Sequence, residues 1–240
     1  MKYRRHLIAA LVALIAACSQ PAHEPASLSA RDSPPTDFPA ATYTEAATRG
    51  QRVLQIDPAH SLLAITVRRG GTLARLGHDH VVASHVLQGY VQPEQGRADL
   101  YVALDQLTVD EPALRAQAGF DTQPSAADIA ATRANMLGKV LQTSQHPFAR
   151  IHVRAPPNAS GEVMLALDLT LRGVTRSLSV PARIKDERDG WQIAGELSFD
   201  QSSFGITPFS ILGGAIQVKD SLELRFEVRA SERPTRKSAS

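Results

Sequence analysis

The sequence holds one cysteine, Cys18, which excludes an intramolecular disulfide and any cysteine-rich zinc site. Aromatic residues make up only 5%, so a buried core has to be built from aliphatic side chains. Charge of one sign is also lacking. The 26 basic and 24 acidic residues give +2, far short of the strong basic face that nucleic-acid binding requires. No apolar run reaches the roughly 20 residues of a transmembrane helix. The Gly-x-Ser-x-Gly elbow, the His-Glu-x-x-His helix, the Walker loop and the Gly-x-Gly-x-x-Gly fingerprint are all missing. What is present is a chain of 240 residues, 43% hydrophobic and 21% charged, the balance of one globular domain with length to spare.

The two ends differ from the middle. Lys2, Arg4 and Arg5 precede an apolar run from Leu7 to Ala17, the form of an export signal. The run closes on Ile15-Ala16-Ala17-Cys18, which resembles the bacterial lipobox. That resemblance implies cleavage after residue 17, lipidation of Cys18 and a membrane-anchored lipoprotein facing the periplasm. Ser19 rather than Asp follows, which favours the outer over the inner membrane. Residues 18–51 are rich in Pro, Ala, Ser and Thr and read as a flexible linker. Residues 52–230 form the expected domain, and residues 231–240 read as a disordered tail. Without residues 1–17 the chain has 23 basic against 24 acidic residues, and residues 18–228 carry −4. The basic pI of 8.9 therefore belongs to the export signal and the tail.

Within the domain, period-two alternation dominates. Leu222, Leu224, Phe226 and Val228 alternate with Glu223, Arg225, Glu227 and Arg229, as in a half-buried antiparallel strand. Strands are expected over 52–57, 60–68, 80–92, 97–107, 149–155, 162–171, 176–186 and 191–200, with 215–229 closing the set. Ser125 as N-cap and Asp128 in the first turn predict a helix over 125–141, and Pro112 to Ala116 predict a short helical turn. The fold class is mainly β, a lipocalin-like antiparallel barrel of about eight strands with one helical insertion.

Four segments are similar to the YceI family, the polyisoprenoid- or lipid-binding barrels. They are Ile56-Asp57-Pro58-Ala59-His60-Ser61; Met136-Leu137 with Val140-Leu141 and His146-Pro147-Phe148; Leu169-Thr170-Leu171-Arg172-Gly173-Val174-Thr175; and Ser203-Phe204-Gly205-Ile206. His146 stands where the family commonly has Tyr, and the Arg usual before the last element is absent from Asp200-Gln201-Ser202. The resemblance implies a long barrel that binds an isoprenoid or other amphiphilic chain without catalysis, in an exported and often dimeric protein. No cofactor is implied.

For such a ligand the candidate lining residues are Leu63, Ile65, Val67, Leu100, Val102, Leu104, Phe204 and Phe226. Periodicity alone favours a solid core of the same side chains, and the resemblance reverses that preference. Gly77-His78-Asp79-His80 is the one segment dense in chemistry. On a strand, His78 and His80 share a face about 6–7 Å apart, with His60 a further candidate. Their readings are a polar rim, contact with a ligand head group, or a metal or haem site linked to electron transfer. A metal site needs three or four ligands and His-x-His supplies two. Asp57, His60 and Ser61 are too close along the chain to form a catalytic triad.

Overall fold

The computed structural model describes residues 33–232. The export segment, Cys18, the first part of the linker and the tail from 233 lie outside the described residues. The strands are β1 (Leu54–Ile56), β2 (Leu62–Gly70), β3 (His80–Ser84), β4 (Gln88–Gln92), β5 (Arg97–Ala103), β6 (Thr108–Val109), β7 (Phe148–Arg154), β8 (Gly161–Leu171), β9 (Val174–Glu187), β10 (Gly190–Asp200), β11 (Ser210–Ile211) and β12 (Ile216–Glu232). Pairing runs β1-β4-β5-β7-β8-β9-β10-β12 and closes where Leu54–Ile56 pair with Ala230–Glu232. The result is a closed antiparallel barrel of eight strands.

Toward one end β2, β3 and β6 take the places of β1, β4 and β5. β2 continues along the edge of β12, β3 pairs with β2, and β6 pairs with β3. The segment expected as one strand over 80–92 is therefore two, with a break around Leu87, which is fully buried. The expected strand over 97–107 likewise breaks at a 3-10 turn, Leu104–Gln106. Asp57 separates β1 from β2 by accepting a hydrogen bond from the Ala59 amide (3.1 Å), which turns the chain at Pro58. β8 and β9 meet in a two-residue hairpin in which Arg172 (φ 49°) and Gly173 (φ 76°) are both left-handed, as a type I′ turn requires. The Arg172 guanidinium then reaches the Gly205 carbonyl and Gln142 Oε1, tying this hairpin to two loops.

Three α-helices lie against the barrel: α1 (Ala40–Thr48), α2 (Pro112–Gln117) and α3 (Ala126–Asn135). α3 begins with the expected cap. Ser125 Oγ accepts from the Asp128 amide, and the Asp128 carboxylate accepts from the Ser125 amide. The helix stops earlier than residue 141 and passes into a π-helical turn, Met136–Val140. Arg133 pins it by donating to the backbone carbonyls of Leu107 and Asp105.

Of the residues 18–51 expected as a flexible linker, those from 33 on are described, and they carry the docked helix α1. Its composition is that of a tether, but Phe38 and Tyr43 find aromatic partners on the outer face of β4 and β5. Tyr43 stacks on Tyr90 at 5.2 Å, and Phe38 meets Tyr101 edge-on at 4.8 Å. The Tyr43 hydroxyl donates to Asp99 (2.6 Å), which also accepts from Arg97 and from His152 Nδ1 (2.7 Å). Burial, then the Asp99 carboxylate, raise the Tyr43 phenol far above its ordinary pKa. Burial works to raise the Asp99 carboxyl too, but the hydrogen bonds from Tyr43, His152 and Arg97 outweigh it and hold it below the usual carboxylate range. Tyr43→Ala removes a ring that is 1% exposed, a loss of about 3 kcal/mol from the docked strap. The expected result in limited proteolysis is new cleavage within residues 33–50, with the barrel left intact. Likewise the tail reading is corrected at its start, because Ser231 and Glu232 belong to β12 and pair with β1.

A hollow apolar cavity at one end of the barrel

The inward rows follow the period-two alternation of the sequence. Leu63, Ile65 and Val67 on β2 face His80, Val82 and Ser84 on β3, and Leu222 and Leu224 on β12 continue the wall. These rows do not close into a solid core. They enclose a cavity of about 400 Å³, within the range of small-ligand sites. A second cavity of about 120 Å³ adjoins it toward the Trp191 end, and Leu63, Ile151, Leu169 and Leu224 line both. The Phe226 ring on the wall of the smaller cavity lies so close to Gly195, its partner across β10 and β12, that a Cβ there would stand 2.6 Å from it.

α3 and its π-turn form one side of the larger cavity through Ala131, Thr132, Met136 and Val140. The loop before β11 supplies Ile206 and Phe209. The cavity reaches the surface, since its wall includes Leu76 (59% exposed) and Ile211 (47%), with Leu212 (70%) beside them. Three of the four exposed large hydrophobic residues of the described chain thus gather at one mouth.

The expected lining residues divide. Leu63, Ile65, Val67, Val102 and Leu104 line the larger cavity, while Leu100 and Phe226 line the smaller one. Phe204 lines neither. It sits in a 3-10 turn, Gln201–Phe204, and packs edge-on against Phe199 at 5.6 Å, one layer behind the wall. The turn rotates the ring away from the direction a continuing strand would give it.

The histidines also divide. His78 and His80 both face the larger cavity, with ring centroids 6.2 Å apart. His60 does not join them; its side chain is 70% exposed and pairs with Asp57 (2.7 Å). His85 pairs with Glu111, and His152 with Asp99. Among the described residues no group of three His, Cys, Asp or Glu side chains converges as a metal site. His80 Nδ1 is already engaged by Asp110 (2.6 Å).

Sequence reasoning missed this last pair. Asp110 follows β6 at φ 58° with a fully buried side chain. It accepts from His80, from the Val81 amide (3.0 Å) and from Arg115 on α2 (2.7 Å). Burial works to raise the Asp110 carboxyl, but these donors outweigh it and hold it below the ordinary carboxylate value. Arg115 also donates to the carbonyls of Asp79 and Thr122, so α2 and the segment before β3 are locked to the end of β6. At the mouth, the Ser125 hydroxyl and then the Ser125 amide lower the Asp128 carboxyl.

A family model described as a YceI-like domain matches residues 54–230. No curated protein matches. Among solved structures, a polyisoprenoid binding domain from Saccharophagus degradans, implicated in plant cell wall breakdown, aligns with a TM-score of 0.56 and 12% identity. The alignment covers 75% of this chain and 98% of that one. BcnA from Burkholderia cenocepacia aligns with a TM-score of 0.51 and 15% identity, covering 73% of this chain and 99% of that one.

Proposed function

From the premise that this chain belongs to the YceI-like domain family, we propose that it binds and carries the hydrophobic chain of an isoprenoid or similar amphiphile inside its barrel. The observation that carries this reading is the hollow aliphatic interior of about 400 Å³, open beside Leu76 and Ile211. A dry aliphatic tube stabilises an apolar chain by about 0.8 kcal/mol per buried methylene. The exposed rim lets the chain enter without crossing a polar barrier. The likeness in fold to a domain described as polyisoprenoid binding supports the same class of ligand.

The role is carriage rather than catalysis. Ser84 is the hydroxyl nearest in sequence to the His80–Asp110 pair on this wall, but it stands four strand residues from His80, roughly 13 Å away. A nucleophile needs its base within hydrogen-bond reach. The lipobox-like Cys18 would tether the barrel to a membrane facing the periplasm, preferentially the outer one, through the segment before the docked strap.

Titration of detergent-free protein with diphenylhexatriene, an uncharged fluorescent polyene, tests the binding reading. Saturable enhancement, reversed by an unlabelled isoprenoid, is expected. Emission no different from that with an unrelated barrel of similar size would contradict it. For the tether, Cys18→Ala is expected to move the protein from the membrane fraction to the soluble exported fraction.

A further inference from the structure

On the carrier reading above, the polar end of the bound amphiphile also has to lie somewhere. Most of the larger cavity is aliphatic, but His78 and His80 stand side by side on its wall near the mouth. His80 is held in one orientation. Its Nδ1 faces Asp110, whose carboxylate also takes the Val81 amide and Arg115. Asp110 therefore fixes the Nδ1–H tautomer of the neutral ring and leaves Nε2 as an acceptor. His78 Nδ1 is buried and has no hydrogen-bond partner among the described residues. Buried polar atoms in folded proteins are nearly always satisfied, so a free one in a ring that lines the cavity points to a missing partner.

Charge narrows the class of that partner. Arg69 is the cation on this wall, and its guanidinium is committed to Asp121 (2.7 Å) and the Gly77 carbonyl (3.1 Å). Arg115, behind His80, is committed to Asp110 and two backbone carbonyls. Asp128 adds a negative charge to the same wall. Among the described residues that line the cavity a phosphate or carboxylate head would meet no uncommitted cation; Lys139 stands outside that lining, over the Phe209 ring (5.6 Å). Burying a charge without a partner is costly. A hydroxyl both donates and accepts, which suits one imidazole acceptor beside a second ring of free tautomer.

We propose that His78 and His80 form the head-group site, and that it selects an uncharged hydroxyl-bearing amphiphile over its phosphorylated or headless counterparts. The test uses three probes with the same four-isoprene tail: geranylgeraniol, geranylgeranyl diphosphate and the corresponding hydrocarbon. Each displaces a bound fluorescent polyene from detergent-free protein. The alcohol is expected to bind about tenfold more tightly than either of the others, the effect of one or two neutral hydrogen bonds. In His78→Ala/His80→Ala the alcohol's advantage over the hydrocarbon is expected to vanish, with hydrocarbon affinity changed less than about threefold. His78→Ala alone leaves the His80–Asp110 pair in place. It is expected to remove part of the advantage, and it covers the case in which the double variant does not fold. Tightest binding of the diphosphate, or an alcohol preference that survives both variants, would overturn the assignment. So would a preference abolished instead by Trp191→Phe, because that indole N–H is the unpartnered buried donor at the opposite cavity. If the hydrocarbon binds and the preference is absent, only the head-group site falls. If no probe binds, the carrier reading falls with it.

Discussion

Asp110→Asn is expected to lower the thermal midpoint by about 6–12 °C at pH 7. The Asp110 side chain is fully buried and that of Arg115 is 6% exposed. Removing one charge of a buried pair leaves the other uncompensated, at a cost of about 3 kcal/mol or more. For a domain of this size each kcal/mol shifts the midpoint by roughly 2–4 °C. Asn keeps the left-handed backbone at this position accessible, so the substitution isolates the charge from the turn. Pairing it with Arg115→Met is expected to recover much of the loss, because the stranded guanidinium is gone. An equal or greater loss in the double variant would contradict this account.

The same pair sets a pH dependence. The Asp110 carboxyl is held below its ordinary value in the fold, so its contribution is fully present above the unfolded pKa of about 3.9. It is lost as pH falls through the lower folded value. The midpoint gap between parent and Asp110→Asn should stay constant from pH 7 to about 5 and narrow below about 4. Thermal unfolding followed by circular dichroism across that range measures it. A gap that widens on acidification would reverse the sign and exclude the mechanism.

Ala149→Trp is expected to weaken binding of an apolar chain at least 100-fold, about 2.7 kcal/mol, without destabilising the barrel. Ala149 is 7% exposed, pairs with Val102 across β5 and β7, and lines the larger cavity. An indole there projects into empty space and takes the volume a ligand needs. In a packed core such an enlargement costs about 1–3 kcal/mol through strain. Here the midpoint is expected to hold or rise. A fall of several degrees would mean that the interior is filled by side chains.

The barrel was legible where alternation is clean. The charged outer face of β12 marked both a strand and its sides, and Ser125 with Asp128 marked the start of α3. The breaks at 85–87 and 104–106 were not legible, because Leu87 and Leu104 carry the apolar pattern through them. The docked strap was hidden by its Pro- and Ala-rich composition, since its two decisive aromatics act through Tyr90, Asp99 and Tyr101 far along the chain. Phe204 misled because an apolar residue beside a glycine reads the same in a strand as in a 3-10 turn. Of the site, the aliphatic rows and the two cavity histidines could be read locally. Asp110 and Arg115 could not, because Asp110 reaches His80 across 30 residues, Arg115 acts on the ring only through Asp110, and no spacing rule joins them.

Native mass spectrometry of the protein purified without detergent tests the central claim most directly. A hollow aliphatic barrel that carries an amphiphile should retain one, seen as a discrete mass increment that organic extraction releases and that Ala149→Trp lacks. Protein at its bare chain mass, with no hydrophobic molecule in the extract and no uptake of added isoprenoid, would contradict it.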